Sequence, residues 1–301
     1  MRRGLRLGVD LGGTRVKLGL VDERGRVRET RTVDTVRDPR SLARAVWAAA
    51  RPWMVRPLLG TGVGVAGDVD AARGVVRLAP NLGWRNVSVL RCFRAAGWTG
   101  SLRFENDATA AAWGAYHVEG VGRGASLILL TLGTGVGGGL VFNGHLHRGA
   151  TGTAGEIGHI VVDPRGPRCG CGASGCLETY LGAVGLSAEA ARRYAARGRK
   201  NIDVSPVELA RRARRGDSIA HGVWIRAGKA LGAALSNLVN VLNPDEVMFT
   251  GGVARAAGLF LPEARRVLRS TAFPAPARAV RFRVSRRPDA LGLVGAALLV
   301  E

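Results

Sequence analysis

Three cysteines and a histidine stand in the spacing His-x9-Cys-x-Cys-x4-Cys, as His159, Cys169, Cys171 and Cys176. Thiolate and imidazole are the ligands that Zn²⁺ takes in a tetrahedron, and Cys3His is one of its structural sets. Glycines at 170, 172 and 175, with Pro164 and Pro167, suit a loop that folds back on itself. The plainer reading is that His159 is an ordinary polar residue and the cysteines are core thiols, but buried thiols rarely crowd into eight residues flanked by glycine. A disulfide is disfavoured, because nothing at the N-terminus resembles a secretion signal and reduced compartments favour a metal for such a cluster. Glu156 and Glu178 frame the stretch, so a bound zinc would pin both carboxylates.

A second candidate for chemistry is Asp107, at the point where SLRFEND, a strand, opens into a helix, ATAAAWGAYH. An aspartate there either caps the helix or projects from a rigid element as a base. In the second role it would accept a proton from a substrate hydroxyl attacking phosphorus. Asn106, Glu156, His159 and Glu178 supply the directional donors and acceptors that a polyol needs.

Glycine turns after strands let backbone N–H groups approach anionic oxygens. The stretches Gly62–Gly67 and Gly133–Gly138 formally match G-x-G-x-x-G, a weak signal among 44 glycines. The dinucleotide fingerprint opens a helix, whereas GTGVGGG runs into the strand-like LVF, which argues against a nicotinamide oxidoreductase. The Walker pattern is absent too, since Ala230 follows Gly228-Lys229. Phosphate binding is therefore expected on a different scaffold.

The elements that would position these groups begin with strands at LRLGVD, LGLVD and RVRETRTVD, an antiparallel meander. Residues 40–51 have helical spacing, 59–67 read as a buried strand and APNLGW at 79–84 as a turn. SLILLTLGTGVGGGLVFNGHL at 126–146 then repeats the outline of the opening: Asp10 lies over Thr131 and Gly12 over Gly133. That duplication suggests two similar lobes with both glycine turns facing one cleft. Helices follow at about 183–198, 205–215 and 221–242, the last with Leu231, Leu235, Leu238 and Leu242 on one face. EVMFT is a strand with Gly251-Gly252 as its turn, FPAP at 273–276 a loop, RFRVS a strand and 289–299 a closing helix.

At 301 residues and 47% apolar content the chain is globular. Its formal charge of +21 comes from arginine, with Lys17, Lys200 and Lys229 the lysines. The arginines spread along the chain and aromatics are 5%, so no nucleic-acid interface is expected. The field favours anionic substrates such as a nucleotide triphosphate. No apolar run is long enough to span a bilayer, and we expect a cytoplasmic protein without membrane partners.

DLGGT at 10–14, APNLGW, ENDATAAAWGA at 105–115, LGTGVGGG and GEIGH…CGCGASGCLE at 155–178 together resemble the ROK family, and most of all its bacterial glucokinases. The resemblance covers nearly the full length. It implies an α/β, actin-like (ribonuclease H-like) two-lobed sugar kinase fold with duplicated strand–Gly-turn–strand units. We place a small lobe at 1–116, joined by the C-terminal helix 286–301, and a large lobe at 117–285 with the zinc knuckle at 159–176. The implied activity is ATP-dependent phosphorylation of glucose at the 6-hydroxyl, with Asp107 as general base.

Carried across the matching motifs, Asn106, Glu156, His159 and Glu178 would bind ring hydroxyls, with Gly67 and Asn81 at the pocket edge. One nitrogen of His159 would face zinc and the other the sugar. Asp10, Gly12, Gly13, Thr14, Lys17, Gly133, Thr134 and Gly135 would hold phosphates and Mg²⁺, and Gly251 and Gly252 would lie against adenosine. The resemblance also implies a homodimer or homotetramer. Three departures are noted: Ala66-Gly67-Asp68 where the family usually has a proline-bearing turn, Thr109 where asparagine is common, and Arg15 where lysine is frequent. Alternatives are another hexose (mannose, N-acetylglucosamine, N-acetylmannosamine or fructose), polyphosphate as donor, or a sugar-sensing regulator. The last is disfavoured because nine residues precede Asp10, fewer than a DNA-binding helix module needs.

Overall fold

The computed structural model describes residues 4–300. The described residues divide into two compact units: 4–125 with 139–155 and 289–300, and 126–138 with 156–288.

In the first unit, β1 (Leu5–Leu11), β2 (Arg15–Val21) and β3 (Val27–Asp34) form the antiparallel meander that the alternating apolar pattern suggests. β4 (Leu58–Val65) pairs parallel to β1. A separate antiparallel sheet follows, built from β5 (Asp68–Asp70), β6 (Val75–Ala79) and β7 (Trp84–Ser88). The turn expected at APNLGW is a short 3-10 segment, Pro80–Leu82, closed by Gly83 in the left-handed region. β8 (Leu102–Asn106) then completes the main sheet, in the order β3-β2-β1-β4-β8. One face of β1 and β2 buries Leu7, Val9, Leu11, Val16, Leu18 and Leu20 in the unit's apolar core, together with Leu42 and Val46 of the helix Pro39–Ala50.

The other face receives backbone. A side chain at Gly62 would overlap the Ala296 carbonyl of the closing helix Leu291–Leu298, and one at Gly295 would overlap the Ala110 carbonyl of the helix Asp107–Val118. Glycine thus lets the closing helix lie directly on the sheet and lets the helix Asp107–Val118 pack backbone to backbone against it, which anchors the helix that carries Asp107.

The second copy comprises β9 (Leu127–Leu132), β10 (Val136–Phe142), β11 (His145–Leu146), β12 (Glu246–Thr250) and β13 (Arg281–Val284). Its order is β11-β10-β9-β12-β13, the same as in the first sheet. β9, β12 and β13 run parallel, and β12 is buried throughout, as its apolar run requires. In the second unit the long helix Ser218–Leu242 buries Leu231, Leu235 and Leu238 and ends on Asn243 in the left-handed region. Phe273–Pro276 differs from the expected loop: Pro274 opens a short helix, Pro274–Ala279, because proline at the first helical position loses no bond the helix would have made. Among the described residues, no helix is long and apolar enough to cross a membrane.

Candidate active site and metal centre

In the first unit, Asp10 stands near the end of β1, in register with Lys17 on β2. The absent side chain of Gly292 makes room for it, since a Cβ there would lie 3.0 Å from the Asp10 carboxylate. Burial, reinforced by the charge of Asp107 and opposed by Lys17, pushes the Asp10 carboxyl up to about 6. The following glycine turn is fixed by Thr35, whose hydroxyl donates to Gly12 O at 2.7 Å and whose amide donates to Thr14 O at 3.0 Å. Asn81 comes close to Gly13, its Cβ lying 3.3 Å from where a Gly13 side chain would start.

The two readings of Asp107 are separated by its neighbour. Asn106 is the helix cap: its Oδ1 accepts from Thr109 N at 3.0 Å and its Nδ2 donates to Gly67 O at 3.0 Å. Asp107 is the first helical residue, with Oδ1 accepting from Ala108 N at 2.8 Å. Burial raises its pKa above the ordinary carboxylate value, against the pull of the Ala108 amide, its own amide and Asn106. A raised carboxyl beside a second carboxyl is the environment expected of a proton acceptor rather than a surface cap. Gly67 has φ +142°, and a side chain there would crowd the Leu78 carbonyl, so glycine is needed where Asn106 bonds.

Two partners escaped the sequence reading. Glu105 is fully buried; its Oε1 accepts from Asn106 N at 3.1 Å and its Oε2 from Arg148 Nε at 2.6 Å. Burial raises its carboxyl despite Arg148. This ion pair fixes the strand end from which Asn106 and Asp107 follow, and no local pattern links residues 43 apart.

In the second unit, His159 closes the 3-10 turn Ile157–His159. Its Nδ1 is 3.7 Å from Cys169 Sγ and its Nε2 is 4.0 Å from Glu156 Oε2, so the two nitrogens face the thiols and a carboxylate respectively. Cys171 and Cys176 sulfurs are 3.6 Å apart, too far for a disulfide. The ligand atoms of His159, Cys169, Cys171 and Cys176 all lie within 4.8 Å of one another. Zn–S near 2.3 Å and Zn–N near 2.0–2.1 Å give tetrahedral edges of roughly 3.5–3.8 Å, and the two close pairs match them. The set fits Zn²⁺. Backbone bonding, led by the Ala173 amide, lowers the Cys171 thiol, while burial and the neighbouring thiols push Cys176 up to about 12.

Glu178 begins the short helix Glu178–Leu181. Its Oε1 lies 3.9 Å from Cys169 Sγ, and its Oε2 accepts from Val136 N at 3.0 Å, just past Gly133–Gly135. Gly251, at φ +95°, follows β12 where a side chain would overlap the Leu132 carbonyl; Gly252 has open space around it.

The duplicated sheets, the carboxylates at the ends of β1 and β8, and the Cys3His knuckle define an actin-like α/β protein with a loop whose ligand set fits Zn²⁺. Residues 6–301 match the ROK family, and the chain belongs to it. The chain is similar to a glucokinase of Thermotoga maritima, 33% identical over 321 residues covering 98% of this chain and 96% of the relative. It is also similar to an N-acetylmannosamine kinase of Escherichia coli O157:H7, 32% identical over 303 residues and 98% of each chain. Among solved structures, the ROK family glucokinase from Streptomyces griseus in complex with glucose and AMPPNP superposes with a TM-score of 0.84 at 33% identity, covering 99% of each chain.

Proposed function

We propose that this protein transfers the γ-phosphoryl group of ATP to the 6-hydroxyl of glucose, giving glucose 6-phosphate and ADP. The observation that carries this reading is the division of labour at the start of the helix Asp107–Val118: Asn106 satisfies the helix, and Asp107 stands beside it with a raised pKa. Asp107 takes the hydroxyl proton as the sugar oxygen forms its bond to phosphorus and the bond to the ADP oxygen breaks. A carboxylate with pKa above its ordinary value is, once ionised, a better proton acceptor.

Asp10 is the carboxylate that would hold Mg²⁺, the ion that would neutralise phosphate charge; its oxygen donors fit a hard cation, and burial with the nearby Asp107 charge raises its pKa. Lys17, in register with Asp10, adds a cation for phosphate. Gly12, Gly13, Thr14, Gly133, Thr134 and Gly135 offer backbone and hydroxyl donors, with Gly251 and Gly252 against the adenosine. Glu156, His159 and Glu178 hold ring hydroxyls with Asn106, and Gly67 and Asn81 border the sugar. Zn²⁺ on His159, Cys169, Cys171 and Cys176 keeps that loop ordered.

The similarity to both a glucokinase and an N-acetylmannosamine kinase at nearly equal identity supports a second reading within the same chemistry, in which another hexose is preferred. ADP release with Mg²⁺ and ATP against a panel of hexoses tests both. Turnover with glucose well above the rest supports the first; turnover confined to another hexose selects the second; none in a folded, zinc-loaded sample refutes the kinase reading.

A further inference from the structure

Glu178 is placed above among groups that hold the sugar, yet its hydrogen bonding runs to the glycine turn. Oε2 accepts from Val136 N at 3.0 Å. Beyond the short helix, Ala183 N donates to Gly133 O at 2.9 Å and Val184 N to Thr134 O at 3.3 Å. The contact is close as well as bonded. A side chain on Gly135 would overlap the Glu178 carboxylate, and a Cβ on Gly182 would lie 3.1 Å from Gly135 Cα. At its other end the same segment belongs to the metal loop. Leu177 N donates to Ile160 O at 2.9 Å, Thr179 N to Cys176 O at 2.9 Å, and Glu178 Oε1 is 3.9 Å from Cys169 Sγ.

We propose that Glu178 is a positioning residue for the phosphate-binding turn, and that the segment Glu178–Val184 transmits the state of the metal knuckle to Gly133–Val136. The physical reason is preorganisation. A run of glycines has large conformational freedom to lose, and a ligand that must order it on binding gives up affinity. Three hydrogen bonds from one segment order the turn beforehand, and one of them has a charged acceptor, which makes it the stronger kind. The segment is in turn held by Cys176, which would ligate the metal, and by Ile160, which follows the candidate ligand His159. Nucleotide affinity therefore depends on zinc and on Glu178 even when no sugar is present.

The inference rests on the proposed nucleotide site, and the test separates the two. Binding of Mg·AMPPNP is measured by calorimetry without sugar, first for zinc-loaded wild type, then for Glu178→Ala, Glu178→Gln and zinc-stripped wild type. Amide hydrogen exchange is followed at residues 133–136. No binding by zinc-loaded wild type overturns the nucleotide reading itself. Given binding, Glu178→Ala is expected to weaken it about tenfold, equivalent to about 1.4 kcal/mol, and to speed exchange at Val136. Glu178→Gln keeps an acceptor oxygen and is expected to stay within about threefold of wild type. Zinc-stripped protein is expected to weaken in the same direction as Glu178→Ala, and decides the matter should that variant fail to fold. Unchanged nucleotide affinity and exchange in both overturn the proposal and leave Glu178 a sugar ligand alone.

Discussion

Replacing Asp107 by asparagine removes one function and keeps the rest of the local structure. Asparagine is nearly isosteric, and its Oδ1 can still accept from Ala108 N, a bond of 2.8 Å in the wild type. The cap on Thr109 N comes from Asn106 and is untouched. Only the proton acceptor is lost, and positioned general bases are typically worth about 10²–10⁴ in rate, or roughly 2.7–5.4 kcal/mol of barrier. We expect kcat, measured by ADP release at saturating hexose and Mg·ATP, to fall within that range while zinc content is retained.

Stability supplies an independent readout with a definite sign. The Asp107 pKa is raised in the folded protein, so the native state holds its proton more tightly than the unfolded chain does. The resulting stability is present below the ordinary carboxylate range and lost as pH rises through the raised value. Loss of a negative charge at the first helical position costs about 0.3–1 kcal/mol at an exposed site and up to about 2 kcal/mol at a buried one. Because burial outweighs the amide bonds in setting the raised pKa, the neutral asparagine should be at least as stable at pH 8. That advantage should shrink toward pH 4. A kcat within about threefold of wild type would refute the base assignment; a large drop in melting temperature at pH 8 with kcat falling in parallel would show that the carboxylate is structural.

Asp10 titrates at about 6 in the native state, above its unfolded value, so the ligand-free protein should lose stability as pH rises from about 4 to 6. Melting curves across that range should show the loss in wild type and a smaller one in Asp10→Asn, where the raised Asp107 and Glu105 carboxyls still contribute, and a flat wild-type profile would count against the burial of this charge. Cys171→Ser should lose zinc and raise the sugar KM by loosening Glu156 and Glu178; metal analysis paired with kinetics checks it, and lost zinc with an unchanged KM would break the link.

Features carried by short-range spacing were legible in the sequence. The Cys3His knuckle is written within 18 residues, and its atoms meet within 4.8 Å. The duplicated strand–turn–strand outline emerged as two sheets of identical order. Boundary positions were less so, because asparagine and aspartate cap helices equally well, and END cannot say whether residue 106 or 107 takes the cap. The small sheet β5–β7 went unread: its strands are three to five residues long, too short to show a period of two, and Asp68 and Asp70 pair with Arg77 across it. The helix Ala257–Thr271 was hidden by Pro262, an interior proline that removes one helix hydrogen bond and reads in sequence as a break. Contacts distant in sequence, such as Glu105 with Arg148 or Asp10 with Gly292, depend on how elements pack and leave no local trace.

The duplication also explains why the two copies are not chemically alike. At the end of β1 the first copy carries Asp10 in register with Lys17. At the matching place, the end of β9, the second carries the uncharged Thr131, facing Thr250 on β12 where Asp10 faces Gly64 on β4. An anionic phosphate can be met by the neutral amides and hydroxyls of the second copy without a counterion, and Glu178 is kept off it by its bond to Val136 N. A phosphate near Asp10 and Asp107 would face two carboxylates, and burial together with the Asp107 charge already raises Asp10. The first copy can therefore take part in phosphoryl transfer only with a cation beside Asp10, whereas the second needs only a turn held in shape. On this argument Asp10→Asn should weaken the dependence of nucleotide binding on Mg²⁺, and loss of the brace at Glu178 should weaken nucleotide binding at every Mg²⁺ concentration.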